Sequence, residues 1–178
     1  MSKTTFALFS ALAALGLVSS QGPIGGCPTL SPSPAITATS TDSSIAGFKL
    51  TAPTVLGQAS GVPTLAATGF NGTWVFNDGA FGASYNECTA WWLNIGTSDT
   101  SVKPLTWNYN VQDTTNWAGG LGEVLTTTVV VQQTESPAAS SNFLACNESG
   151  SWVLYLQDGT DVPAGKTCIA TQLLEGSA

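Results

Sequence analysis

The sequence predicts an all-β fold: an antiparallel β-sandwich or small barrel, stabilised by two disulfides and preceded by a disordered N-terminal arm. Three observations support this. Short runs of β-branched and aromatic residues end at turn-forming residues. No apolar period of 3.6 residues persists for three turns after the first 20 residues. Finally, an even number of cysteines follows an N-terminal segment typical of exported proteins.

Five runs are predicted to be strands, and each is bounded by Gly, Asn, Asp or Pro. They are residues 73–76, 89–95, 105–111, 123–133 and 151–156. Asp78-Gly79 and Asp158-Gly159 follow the first and the last of these runs, and Asp-Gly pairs favour tight turns. Short strands separated by such turns are typical of sandwiches and small barrels.

The first 20 residues are predicted to be a secretory signal peptide. Lys3 supplies a positive charge, residues 6–18 are mostly apolar, and small residues precede a cleavage site before Gln21. The alternative is a membrane anchor, but the apolar run is shorter than the roughly 20 residues that cross a bilayer. We therefore expect a secreted protein, extracellular or in a cell wall, and not a membrane protein.

Residues 21–44 are predicted to form a Ser/Thr/Pro-rich arm, and residues 45–178 the β domain. Pro23, Pro28, Pro32 and Pro34 cannot donate backbone hydrogen bonds, and few of their neighbours are apolar. We therefore expect this arm to lack regular structure.

The four cysteines, Cys27, Cys88, Cys146 and Cys168, all follow the predicted signal peptide. In an oxidising compartment they would form two disulfides, for which three pairings exist. We favour Cys146–Cys168, which closes a short segment around one predicted hairpin, and this leaves Cys27–Cys88. There is no CxxC spacing and no histidine to complete a zinc site, so we predict no metal and no cofactor.

Composition excludes several functions. The chain has no histidine and no arginine, its net charge is −7, and only 8% of its residues are charged, against roughly 25% in ordinary soluble domains. Without a basic face it cannot bind nucleic acid by counterion release, and binding to anionic membranes is disfavoured. Without histidine, the usual general base is missing.

Carboxylates offer the one catalytic option that the sequence leaves open. A glycosidase uses two acids and needs no histidine, and Glu87, Glu123, Glu148 and Asp113 are available. No pair of them stands in a recognisable motif, so we interpret them as solvated acids and predict no catalytic residues.

Six tryptophans give the best indication of function. Trp74 and Trp152 are expected in the core. Candidates for stacking on sugar rings are the adjacent pair in one strand, which must point to opposite faces, and the two that flank a polar stretch at residues 108–116. These four candidates are Trp91, Trp92, Trp107 and Trp117. The alternative is that each of them fills the core.

Two N-glycosylation sequons are present, Asn71-Gly72-Thr73 and Asn147-Glu148-Ser149. The motif is common by chance in a Ser/Thr-rich chain, but it gains weight in an exported protein. We expect glycans on Asn71 and Asn147.

The C-terminal third resembles a known family. NFLAC at residues 142–146, SWVLY at 151–155 and VPAGKTC at 162–168 are similar to the ending of small secreted fungal cell-wall proteins of the phialide type. An early segment with Phe48, Leu50 and Ala52 is also similar. The resemblance implies a non-catalytic, glycosylated wall component without catalytic residues, and it supports the Cys146–Cys168 pairing.

The function predicted from the sequence is therefore a secreted, non-catalytic component of a fungal cell wall or extracellular matrix, which is structural or contacts carbohydrate. Wall polysaccharide is the expected partner. Two alternatives stay open: a small acid-active glycosidase that uses an Asp/Glu pair, and a secreted effector or antigen that binds a host protein.

Overall fold

The computed structural model describes residues 32–54, 58–86, 88–128, 139–140 and 142–176. Every regular element in these residues is a β-strand, which confirms the all-β prediction, and none of them contains a helix that could cross a membrane. The strands are β1 (Ile36–Ala38), β2 (Lys49–Leu50), β3 (Ser60–Gly61), β4 (Thr64–Ala66), β5 (Thr73–Asn77), β6 (Ala80–Asn86), β7 (Thr89–Ile95), β8 (Val102–Tyr109), β9 (Trp117–Ala118), β10 (Thr126–Thr128), β11 (Ala139–Ser140), β12 (Phe143–Glu148), β13 (Ser151–Gln157), β14 (Thr167–Thr171) and β15 (Leu173–Glu175).

All strand pairs in the described residues are antiparallel. Strands β5 to β8 form a meander, and β8 then pairs with β13 through its first residues. From β13 the path runs through β4, β2 and β1 to β15. Because β14 also pairs with β12, the β14–β15 segment has β12 as one neighbour and β1 as another. The sheet is therefore curled like part of a barrel.

Two hairpins are closed by two-residue turns. Asp78 and Gly79 have φ angles of 48° and 78°, and Ser149 and Gly150 have φ angles of 52° and 88°. Two successive residues with positive φ are typical of the type I′ turn, which matches the twist of the flanking strands. The turn predicted at Asp78-Gly79 is thus confirmed.

The predicted strands agree with the structure to different degrees. Those at residues 73–76, 89–95 and 151–156 correspond to β5, β7 and β13, whereas β8 begins three residues before the predicted start at Leu105. Of the strand predicted at residues 123–133, the structure describes β10, which pairs with β9 and β11 in a small second sheet. Residues 129–133 lie outside the described part of the chain.

A single main core lies inside the curl and is rich in aromatic rings. Trp74 stacks on Phe81 at a centroid distance of 5.5 Å and on Trp107 at 6.3 Å, and Trp117 stacks on Phe143 at 6.5 Å. Each of these buried indoles also donates its N–H to a backbone carbonyl: Trp74 to Pro34, Trp107 to Thr51 and Trp117 to Leu93. The polar atom of each ring is therefore satisfied inside the core.

The arm predicted at residues 21–44 contains a strand, so that prediction is wrong for its last part. β1 pairs with both β2 and β15, and Ile36 and Ala38 are buried in the core. Thr37 between them is only partly buried, as expected for alternation along a strand. The β domain thus includes residues before the predicted boundary at residue 45, while residues 21–31 lie outside the described residues.

The Cys146–Cys168 disulfide is formed, as predicted. The two cysteines are direct partners in the register of β12 and β14, so the sheet itself brings them together. None of the three cysteines in the described part of the chain is a free thiol. The Cys27–Cys88 pairing stays a prediction because Cys27 lies outside the described residues.

Candidate functional site

Three of the four tryptophans predicted to contact sugar lie in the core. Trp91, Trp107 and Trp117 are 2%, 0% and 4% exposed. A fully packed indole cannot reach a polysaccharide, so the prediction is wrong for these three. Trp92 alone of the four is partly exposed. Of the two tryptophans expected in the core, Trp74 is buried, while Trp152 is half-buried at the edge of the core.

Strand alternation separates Trp91 from Trp92. Within β7, Trp91 and Leu93 face the core, and Trp92 between them points to the outer face of the sheet. In the sequence, Leu93 could have shown which tryptophan faces the core. It is apolar and lies two residues after Trp91, and every second residue of a strand points to the same face. Trp107 carried the same signal, because Leu105 lies two residues before it and the polar residues Thr106 and Asn108 alternate with them. Trp117 gave no such signal, since its burial follows from tertiary packing.

Trp92 borders a shallow depression of about 400 Å³ on the outer face of the sheet. The depression lies between β5, β6 and β7 and the residue that follows β8. Its lining is neutral and combines the indole of Trp92 with several amides and hydroxyls. The lining residues are Val75, Phe76, Asn77, Ser84, Asn86, Cys88, Thr89, Ala90, Trp92 and Asn110.

Gly82 allows the indole of Trp92 to lie across the neighbouring strand. The two residues are direct partners in the register of β6 and β7. A Cβ atom added to Gly82 would lie 2.7 Å from Cε3 of Trp92, which is closer than real contacts permit. The indole N–H of Trp92 makes no hydrogen bond to any residue that the structure describes, so this donor is available to a ligand.

Two amides of the depression are held in place by the backbone. Oδ1 of Asn86 accepts hydrogen bonds from the backbone N–H groups of Cys88 and Thr89, both at 3.0 Å. Oδ1 of Asn110 accepts one from the backbone N–H of Ala90 at 3.2 Å. Within the described residues the Nδ2 groups of both amides have no hydrogen-bond acceptor. The acceptor atoms are thus used to fix the side chains, and the donors remain for a ligand.

Glu148 is not the simply solvated acid that the sequence predicted. Its Oε1 lies 2.6 Å from Nζ of Lys166 and 2.6 Å from the hydroxyl of Tyr155, which donates a hydrogen bond to it. These bonds, first the one from Lys166 and then the one from Tyr155, lower the pKa of Glu148. Because its carboxylate is paired with Lys166, Glu148 is better suited to stabilising the sheet than to transferring a proton.

Glu175 and Glu123 form a pair of neighbouring acids that the sequence did not indicate. Glu175 is 8% exposed, and burial, followed by the charge of Glu123, raises its pKa above the ordinary value. Glu123 was a candidate, but Glu175 stood in an apolar run at the end of the chain and was not considered. Of the other candidate acids, Asp113 is exposed and Glu87 lies outside the described residues.

Both sequon asparagines are exposed. Asn71 lies just before β5, and Asn147 lies near the end of β12. Their accessibility is compatible with glycans, and glycosylation itself stays a prediction.

Comparison with known proteins identifies no relative: no protein-family model, no curated protein and no solved structure matches the chain. No group of three or more acidic or cysteine side chains in the described residues is arranged to hold a metal ion.

Proposed function

We propose that this protein is a secreted, non-catalytic component of a fungal cell wall or extracellular matrix, and that it contacts polysaccharide at the Trp92 depression. The observation that carries the proposal is the position of Trp92. Its indole lies over Gly82, is partly exposed and has a free N–H, and the surrounding side chains are amides and hydroxyls.

The chemistry of this lining suits a sugar ring. Such a ring has an apolar face of C–H groups and a rim of hydroxyls. An indole can cover the apolar face, because aromatic side chains combine a large apolar surface with a polar end. The free donors of Asn86, Asn110 and Trp92 can then bond the hydroxyl oxygens. Because the three donors are fixed or attached to a rigid ring, little conformational entropy is lost on binding.

The size of the depression supports contact with a short stretch of a longer chain. Ligand sites in proteins span roughly 300 to 1,000 Å³, and this depression, at about 400 Å³, is near the lower end. It is also shallow, so the remainder of a polymer could continue over the surface of the sheet.

The test is retention on insoluble β-glucan, chitin and cellulose near pH 5, above the ordinary pKa of most carboxyl groups. We expect retention of the purified protein and no soluble sugar in the supernatant. Trp92→Ala should weaken binding at least about tenfold, equivalent to 1.4 kcal/mol, and Asn77→Ala should weaken it less.

Val62→Ala is the matched control, because Val62 is 58% exposed and does not line the depression. Its retention should equal that of the unmodified protein. Equal retention of the Trp92→Ala protein, with its fold intact by circular dichroism, would rule out this depression as the binding site.

The glycosidase alternative is favoured by one observation, the buried Glu175 next to Glu123. An acid whose pKa is raised by burial, near a second acid, is the arrangement that glycosidases use. The same supernatants test this alternative. Release of reducing sugar that Glu175→Gln abolishes would make the protein an enzyme, and release that survives this change would exclude Glu175 as the acid.

A further inference from the structure

The turn between β12 and β13 brings a sequon asparagine and a tryptophan together. Asn147 and Trp152 are direct partners across this hairpin, which turns at Ser149 and Gly150. Ser149 is also the third residue of the sequon. The sequon thus lies at one end of the curled sheet, beside the turn.

The geometry of the hairpin places the two side chains as close as a sheet permits. In a two-residue hairpin the pair that flanks the turn, here Glu148 and Ser151, is the hydrogen-bonded pair. Hydrogen-bonded and non-hydrogen-bonded pairs alternate, so the next pair, Asn147 and Trp152, is non-hydrogen-bonded. Side chains of such a pair point to the same face with Cβ atoms roughly 4.5 to 5.5 Å apart.

Trp152 is an incompletely covered part of the core. It is half-buried and packs against the main core, and its other strand neighbour in the register, Leu65, is buried. Trp74, Trp107 and Trp117 each donate their indole N–H to a carbonyl. Trp152 makes no such bond within the described residues. Its ring therefore offers an exposed apolar surface and a free donor at the end of the core.

Asn147 is held in a way that suits a glycan. Its side chain is exposed, and its Oδ1 accepts a hydrogen bond from the backbone N–H of Gly150 at 3.2 Å. That bond uses the amide oxygen and leaves Nδ2, the atom to which an N-linked sugar is attached. The same bond can persist after attachment, and it then restricts the direction in which the sugar leaves the hairpin.

We propose that Asn147 carries an N-linked glycan whose first N-acetylglucosamine packs on Trp152 and covers this end of the core. The glycan comes from a lipid-linked diphosphate oligosaccharide in the secretory route. A bond forms between Nδ2 and C1 of the sugar, the bond from C1 to the diphosphate oxygen breaks, and Nδ2 loses a proton. The sugar then shields apolar surface that the chain leaves exposed, which stabilises the folded state.

The second sequon provides a control within the same chain. Asn71 is also exposed, but the aromatic residue next to it, Phe70, is buried against Trp74 and Tyr85. Asn71 also precedes β5 and has no cross-strand partner in the described register, so the sheet does not set a glycan there directly beside an aromatic ring. Loss of that glycan should therefore leave stability unchanged.

The experiment uses the full chain secreted from a eukaryotic host, with occupancy at each sequon read by peptide mass spectrometry. Asn147→Gln should lower the Tm by about 3 °C, and Asn71→Gln should not. Enzymatic trimming to the single first sugar should keep the Tm of the glycosylated protein. In a Trp152→Leu background, Asn147→Gln should no longer change the Tm.

Two results would overturn the proposal. One is an Asn147 that carries no glycan, and the other is an Asn147→Gln substitution that lowers the Tm equally in proteins with Trp152 and with Trp152→Leu. If Trp152→Leu does not fold, NMR of the glycosylated protein without substitutions takes the place of this variant. Nuclear Overhauser contacts between the first sugar and the Trp152 indole are expected, and their absence would contradict the packing. The test is independent of the Trp92 depression, because retention on polysaccharide plays no part in it.

Discussion

At the scale of single residues, Asn94 holds the loop that follows Asn110, one of the residues that line the Trp92 depression. It is a buried amide in β7. Its Oδ1 accepts hydrogen bonds from the backbone N–H groups of Asp113 and Thr114 at 2.8 and 2.9 Å, and its Nδ2 donates to the carbonyl of Val111 at 2.9 Å. One side chain thus replaces the strand partner that residues 111–114 lack.

Asn94→Ala should lower the free energy of unfolding by about 2 kcal/mol, because two backbone donors and one acceptor lose their partner. Urea denaturation measures the change. Asn116→Ala is the matched control: Asn116 is exposed, and its side chain makes no hydrogen bond within the described residues. If Asn94→Ala changes the free energy of unfolding as little as Asn116→Ala does, water replaces these hydrogen bonds without cost.

The candidate site was only partly predictable at this scale. The sequence located Trp92 because two adjacent tryptophans in a strand must face opposite ways. It could not show that Gly82 would lie beneath the indole, since that contact depends on the register between β6 and β7. Asn86 was missed for the same reason. Asn110 belongs to the polar stretch at residues 108–116, but the sequence could not show that it lines the same depression as Asn86.

At the scale of elements, the β12–β14 pair is linked by its disulfide. The chain-entropy model gives a stabilisation of about 3 kcal/mol for a loop of this size, since Cys146 and Cys168 are 22 residues apart. Cys146→Ala combined with Cys168→Ala should remove that amount, measured by guanidinium denaturation. Alanine is chosen because Cys146 is fully buried and a serine hydroxyl there would have to be satisfied.

The contrary result would be an unchanged denaturation midpoint in the double variant. It would mean that residual structure already restricts this region in the unfolded chain. The single variants are less suitable, because each leaves a reactive thiol.

Strand boundaries were the least predictable feature of the elements. The start of β8 was predicted too late because of Pro104, since proline lacks the N–H that a central strand needs. In the structure Pro104 lies where β8 changes neighbours, with β13 before it and β7 after it. β1 was missed because only Ile36 and Ala38 in a Ser/Thr/Pro-rich segment indicate it, and its stability comes from strands distant in the sequence.

At the scale of the whole molecule, two acids give the stability opposite dependences on pH. Glu175 has a folded-state pKa above its ordinary value near 4.5, so its contribution falls as the pH rises through that range. Glu148 has a lowered pKa, so its contribution is present above its ordinary value near 4.5 and is lost as the pH falls. Together they favour a mildly acidic medium, and the net charge of −7 acts in the same direction at neutral pH.

We therefore expect a higher Tm at pH 5 than at pH 8, and a smaller difference in Glu175→Gln. Glu123→Gln should reduce the difference partly, because the charge of Glu123 contributes to the raised pKa. Calorimetry at both values of pH measures the effect. An identical pH dependence in Glu175→Gln and the unmodified protein would show that the net charge alone is responsible.

The pairing of β1 with β15 also governs how quickly the protein can fold. Ile36 pairs with Glu175, so this contact closes a loop of nearly the whole described chain. Antiparallel sheets with such distant contacts fold slowly, because the entropy of loop closure is lost before the contacts form. The curl therefore cannot be completed until β15 has been synthesised. Until then Ile36 and its core neighbours stay in contact with water, so a chain that lacks β15 exposes part of the core of the complete domain.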